Sequence, residues 1–117
     1  MTLVTLHTRL HPDALEAYDR LHARVPADLL GALREAGVRD WRIWRDGRDV
    51  FHVLEVDDYA AMRDALRDHP ANVAWQARVT PLQEVPDDYS GTDSGLSFVW
   101  SYADQVADAG RPGTSPG

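Results

Sequence analysis

The chain has no cysteine and no lysine among its 117 residues. The first absence excludes disulfides, thiolate nucleophiles and Cys-ligated zinc or iron–sulfur sites. The second excludes Schiff-base chemistry, since all twelve basic residues are arginine. Nineteen acidic residues bring the net charge to −7 with no run of like charges. That argues against nucleic acid and anionic membrane surfaces, both of which reward clustered cations. No apolar stretch approaches membrane-spanning length, and Met1–Leu6 lacks the basic start and long apolar core of a signal peptide. A soluble, cytoplasmic protein is expected. There is no glycine-rich phosphate loop, no GxSxG and no HExxH. The histidines and carboxylates supply no readable set of three or four convergent metal ligands, so no metal is expected.

What is present fits one domain. The hydrophobic fraction of 44% suffices for a single core. Thr2–Leu10 alternates, with Val4, Leu6, Thr8 and Leu10 on one side, and reads as a strand. A helical pattern runs from Pro12 to Ala36, and Pro26 should kink it or split it into about 12–24 and 26–36. Gly37 closes it. Val38–Asp46 and Val50–Val56 flank Asp46-Gly47 and read as a hairpin. Asp57 or Asp58 caps a helix whose buried face carries Tyr59, Met62, Ala65 and Leu66, and a second helix spans about Ala71–Val79. Thr80–Gly95 reads as irregular, and the apolar run Leu96–Tyr102 as the last strand. The domain should therefore span residues 1–103, with 104–117 as a flexible tail of Gly, Ala, Asp, Pro and Ser.

The order β, α, β, β, α(α), β is the α+β, ferredoxin-like split βαβ pattern: an antiparallel sheet with helices on one face. Aromatic residues on the strands suggest that a second copy covers the other face, giving a homodimer.

The chemistry centres on the first helix. Leu15, Tyr18, His22, Val25, Leu29 and Leu33 share one stripe, so a phenol and an imidazole stand one turn apart on the core-facing side. Buried polar groups cost free energy without partners, and two together point to a cavity. Taken alone, a helical histidine is more often structural, and a buried tyrosine often only reaches a backbone acceptor. Trp41, Trp44 and Trp75 could stack on sugar rings or fill the core; for any one of them, core filling is the commoner role. Asp57-Asp58 and Asp87-Asp88 read as caps and turns.

Several segments together resemble the L-rhamnose mutarotase family: His11-Pro12-Asp13-Ala14, Glu16–His22, Val25–Leu29, Trp41–Asp46, Phe51–Val56 and Ala74-Trp75-Gln76. The resemblance covers roughly residues 3–101. It implies a small dimeric α+β barrel without cofactors that interconverts the α and β anomers of a 6-deoxy sugar such as L-rhamnose or L-fucose. By position, Tyr18 and His22 match the family's Tyr-x-x-x-His catalytic pair. Trp75 matches the first residue of its tandem Trp-Trp, with Gln76 in place of the second. Leu21, Val25, Ala27 and Arg45 also depart from the family's usual residues. Trp75, Gln76, Trp41 and Trp44 are the expected substrate-binding residues, and a small-molecule sugar is the expected partner. Two other readings stay open: a cyclase, dehydratase or cofactor-free oxygenase of the same fold acting on a polyketide-like molecule, and a non-catalytic binding module.

Overall fold

The structure, a computed structural model, describes residues 2–89 and 94–109. Strand β1 (Thr2–Leu10) leads to helices α1 (Leu15–His22) and α2 (Ala27–Glu35). Strands β2 (Val38–Asp46) and β3 (Asp49–Val56) follow, then α3 (Tyr59–Arg67) and α4 (Pro70–Val79). A 3-10 turn at Thr80–Leu82, strand β4 (Gln83–Val85) and helix α5 (Tyr102–Ala109) complete the order. The sheet is antiparallel in the order β2-β3-β1-β4, as the ferredoxin-like pattern requires.

Local chemistry sets each boundary. Pro26 sits at φ −58°, ψ 142° and caps α2, so the long helical pattern breaks in two there. Gly37 takes φ +95°, a left-handed conformation natural only to glycine, and turns the chain from α2 into β2. Gly47, at φ +56°, makes the two-residue β2–β3 turn closed by Asp46 opposite Asp49. Asp58 caps α3 by accepting from the Ala61 N–H at 3.0 Å.

Alternation gives the sheet two unlike faces. Val4, Leu6 and Leu10 of β1 and Val50, Leu54 and Val56 of β3 enter the core against Leu29, Met62 and Leu66 of the helices. Leu54, Met62 and Leu66 are fully buried, and each burial is worth about 1.5–3 kcal/mol. On the other face Leu3, Phe51 and Trp44 are exposed.

Three sequence expectations need correction. The last strand is not Leu96–Tyr102 but the three-residue β4, paired with Arg9 and Leu10 of β1. The later run touches β1 through Leu96 N–H to Thr5 O at 2.7 Å, then leaves with Phe98, Val99 and Trp100 exposed. Gly95 turns the chain at that point; a Cβ there would lie 2.8 Å from Val4 Cγ1. The tail expected from residue 104 instead runs on as α5 to Ala109, a helix with no buried residue, and 110–117 lie outside the described residues. On α3 the buried face holds Arg63 rather than Ala65, because the stripe through Tyr59 continues four residues on.

Candidate active site

Between the helices and the inner sheet face lies an open cavity of about 430 Å³. Helix α1 supplies Tyr18 and His22, β2 supplies Trp41, β3 supplies His52, and α4 supplies Trp75 and Gln76. Helix α2 closes it with the apolar side chains of Leu29, Leu30 and Leu33.

The pair on α1 is held by ring contacts and one hydrogen bond. The imidazole stacks on the Tyr18 ring with centroids 4.2 Å apart and meets the Trp75 ring edge-on at 5.1 Å. His22 Nδ1 lies 2.9 Å from the Tyr18 carbonyl oxygen. A carbonyl only accepts, so Nδ1 carries the hydrogen and the neutral ring keeps its lone pair on Nε2. Nε2 is thus a proton acceptor at the cavity. Tyr18 is 3% exposed, and burial pushes its phenol well above the ordinary range, with help from the Asp87 charge. It therefore stays a neutral hydroxyl, able to donate a hydrogen bond but not to serve as a phenolate base.

Arg45 Nε and Nη2 donate to the two carboxylate oxygens of Asp19 at 2.9 and 2.7 Å, tying the β2 edge to α1 next to Tyr18. This pair borders a second cleft that shares Tyr18 and His22 with the main cavity. An arginine at position 45 thus has a local role in holding α1 in place.

Of the sequence-predicted residues, Tyr18, His22, Trp41, Trp75 and Gln76 come together and Trp44 does not. Trp44 pairs with Phe51 on the opposite sheet face and is half exposed. Residues 41 and 44 are three apart on a strand and so point opposite ways. His7 also faces outward, 2.8 Å from Asp49 Oδ1. Among the described residues no three His, Asp or Glu are placed to hold a metal ion.

Two site residues were missed from the sequence. His52 lies behind Trp41, whose Nε1–H donates to His52 Nδ1 at 3.1 Å. Indole only donates, so Nδ1 is bare, and Nε2–H donates to Thr8 Oγ1 at 2.9 Å. A histidine on the same strand parity as Leu54 and Val56 was the available signal. Asp87, which was read as a turn residue, lines the cavity with its side chain 11% exposed.

Burial, foremost, lowers the pKa of His52 from its ordinary 6.5; the Asp87 charge opposes that shift and the Arg63 charge adds to it. The unfolded chain takes up this proton near pH 6.5 and the folded chain only at lower pH. Stability is therefore full above pH 6.5 and falls as the pH drops from there toward the folded pKa, by at most about 1.36 kcal/mol per pH unit. The lowered carboxylates Asp19, Asp40 and Asp57 titrate below this window, starting from 3.8. Melting curves from pH 7.5 to 5 should show Tm falling, and His52→Gln, which can keep both hydrogen bonds without titrating, should flatten the slope. Equal slopes for the two proteins would refute this assignment.

Known proteins resemble this chain in sequence and in fold. The profile of the L-rhamnose mutarotase family matches residues 4–104. An L-rhamnose mutarotase of Paraburkholderia phytofirmans is 34% identical over 102 residues, covering 86% of this chain and 94% of the relative. One of Sinorhizobium medicae is 32% identical over 94 residues, covering 79% and 89%. The crystal structure of an L-rhamnose mutarotase from Formosa agariphila superposes with a TM-score of 0.68 at 18% identity, covering 86% of this chain and 98% of that one. Tetracenomycin F2 cyclase of Streptomyces glaucescens, a type-II polyketide cyclase, shares the fold at a TM-score of 0.61 and 20% identity with the same coverage.

Proposed function

The chain belongs to the L-rhamnose mutarotase family, a family of isomerases, and we propose that it interconverts the α and β anomers of L-rhamnose or a closely related 6-deoxy sugar such as L-fucose. The carrying observation is the bond from His22 Nδ1–H to the Tyr18 carbonyl, which leaves Nε2 as a neutral base at the cavity.

Mutarotation needs a proton moved between two oxygens of one molecule. His22 Nε2 takes the proton from the anomeric hydroxyl as the bond from C1 to the ring oxygen breaks and C1 becomes an aldehyde carbon. The ring oxygen leaves with the electron pair of that bond and receives the proton back from the imidazolium. Rotation about the C1–C2 bond then presents the other face of the aldehyde. Closure runs the same steps in reverse and leaves the enzyme unchanged. An imidazole suits both directions near neutral pH. The Tyr18 hydroxyl donates a hydrogen bond to the ring oxygen without giving up its proton, since burial disfavours the phenolate. Trp75 and Trp41 offer aromatic faces to the apolar side of the ring, and Gln76 offers an amide to its hydroxyls.

Magnetisation-exchange NMR on L-rhamnose tests this reading. Catalytic amounts of protein should transfer saturation between the two anomeric protons far above the buffer rate. A protein that leaves the rate unchanged for L-rhamnose and L-fucose alike would refute it. The partner we propose for the exposed sheet face is a second copy of the chain, supported by Leu3, Phe51, Trp44 and the exposed run from Phe98 to Trp100. Sedimentation at micromolar concentration should give twice the 13.1 kDa chain mass; a monomer would rule the dimer out.

A further inference from the structure

Behind the cavity wall stands a buried cation. Arg63 is 2% exposed, in the middle of α3. Its Nε donates to the Tyr59 hydroxyl at 2.8 Å. Its guanidinium carbon lies 4.4 Å from the Tyr89 ring centroid and 5.1 Å from that of Tyr59. Its Nη2 is 3.6 Å from Asp87 Oδ1. At that distance the two groups attract as charges without a hydrogen bond. The guanidinium attracts the Asp87 carboxylate, yet at 3.6 Å leaves its lone pairs for another donor. Asp87 lines the same cavity as Tyr18 and His22.

A sugar brings hydroxyl donors to this cavity. Trp75 and Trp41 give it stacking surface, the Tyr18 hydroxyl is a donor, and the Gln76 amide is both donor and acceptor. An ionised carboxylate only accepts, and its two oxygens can take a pair of neighbouring hydroxyls. From this placement, and resting on the sugar reading above, we propose that Asp87, held by Arg63, binds ring hydroxyls of the sugar and sets specificity for polyhydroxylated substrates over apolar ones. Asp87 takes no part in the proton transfer; it fixes the sugar ring so that the anomeric carbon faces His22. The apolar wall of Leu29, Leu30 and Leu33 cannot do this, because it offers a hydroxyl no partner.

The test is a cycle between protein and ligand. L-rhamnose and its 2-, 3- and 4-deoxy analogues are compared on wild type and Asp87→Asn by exchange NMR. A hydrogen bond to a charged group is worth about 10–100-fold in affinity. Asp87→Asn should therefore raise KM for L-rhamnose about 10–100-fold while kcat falls much less. Wild type should lose a similar factor on at least one deoxy analogue, and Asp87→Asn should lose that discrimination. As a check that needs no variant, the assigned side-chain carboxyl carbon of Asp87 should shift on titration with L-rhamnose, while that of the capping Asp58 should not. A wild type active on L-rhamnose beside an Asp87→Asn variant with unchanged KM overturns this proposal alone. An unmoved Asp87 carboxyl signal at saturating sugar does the same. A wild type that neither binds nor interconverts L-rhamnose overturns the sugar reading with it.

Discussion

His22→Ala should slow anomer exchange on the preferred sugar by about 10²–10⁴ while the protein melts near the wild-type temperature. The size follows from the role of single proton carrier that we propose for it. With Nε2 gone, the other imidazole among the described residues lining the cavity cannot stand in, because His52 spends both nitrogens on Trp41 and Thr8. The small stability change follows from its setting. The imidazole is only half buried, and its one hydrogen bond is to a carbonyl that already belongs to α1. A purely structural His22 would give the opposite pattern, with full activity and a loss of about 1–3 kcal/mol from an orphaned partner. Tyr18→Phe separates the two roles on α1. It keeps the ring stacked against His22 and removes only the hydroxyl, so it should slow the reaction less than His22→Ala does. A fully active His22→Ala protein would end the case for this residue as the proton carrier.

Tyr18 and His22 could be read from the sequence because helical spacing is rigid. Four residues apart, they had to share one helix face, while the reading of them as a catalytic pair came from the family resemblance. Trp41 and Trp44 were legible as a strand but not as a choice between faces; the register with β3 sends Trp41 inward and Trp44 outward. Strand β4 escaped notice because three residues between Pro81 and Pro86 carry almost no pattern. The run Leu96–Tyr102 has strand composition, but a strand also needs a partner, which composition does not encode. Asp87 was hidden for a related reason. It belongs to the site through Arg63, a through-space neighbour on another element, and local turn chemistry says nothing of that.

The second large effect concerns that pairing. Arg63→Met should lower stability by about 3 kcal/mol, a fall in Tm on the order of 10–20 °C for a domain of this size. Methionine fills much of the arginine stem, so the loss is chiefly one of charge and hydrogen bonding. The Tyr59 hydroxyl loses its 2.8 Å donor, and both tyrosine rings lose a cation on their faces. Asp87 is left facing the cavity without its counter-ion. Removing one partner of a buried pair costs about 3–5 kcal/mol, and the lower end applies because Asp87 can rehydrate through the open cavity. Asp87→Asn should cost less, since Arg63 keeps Tyr59 and both aromatic faces. The double variant should therefore melt above Arg63→Met alone, because the carboxylate that needs the guanidinium is gone. Strictly additive losses would show the two groups to be uncoupled. An Arg63→Met protein melting within a few degrees of wild type would show that the guanidinium does not hold this wall of the cavity together.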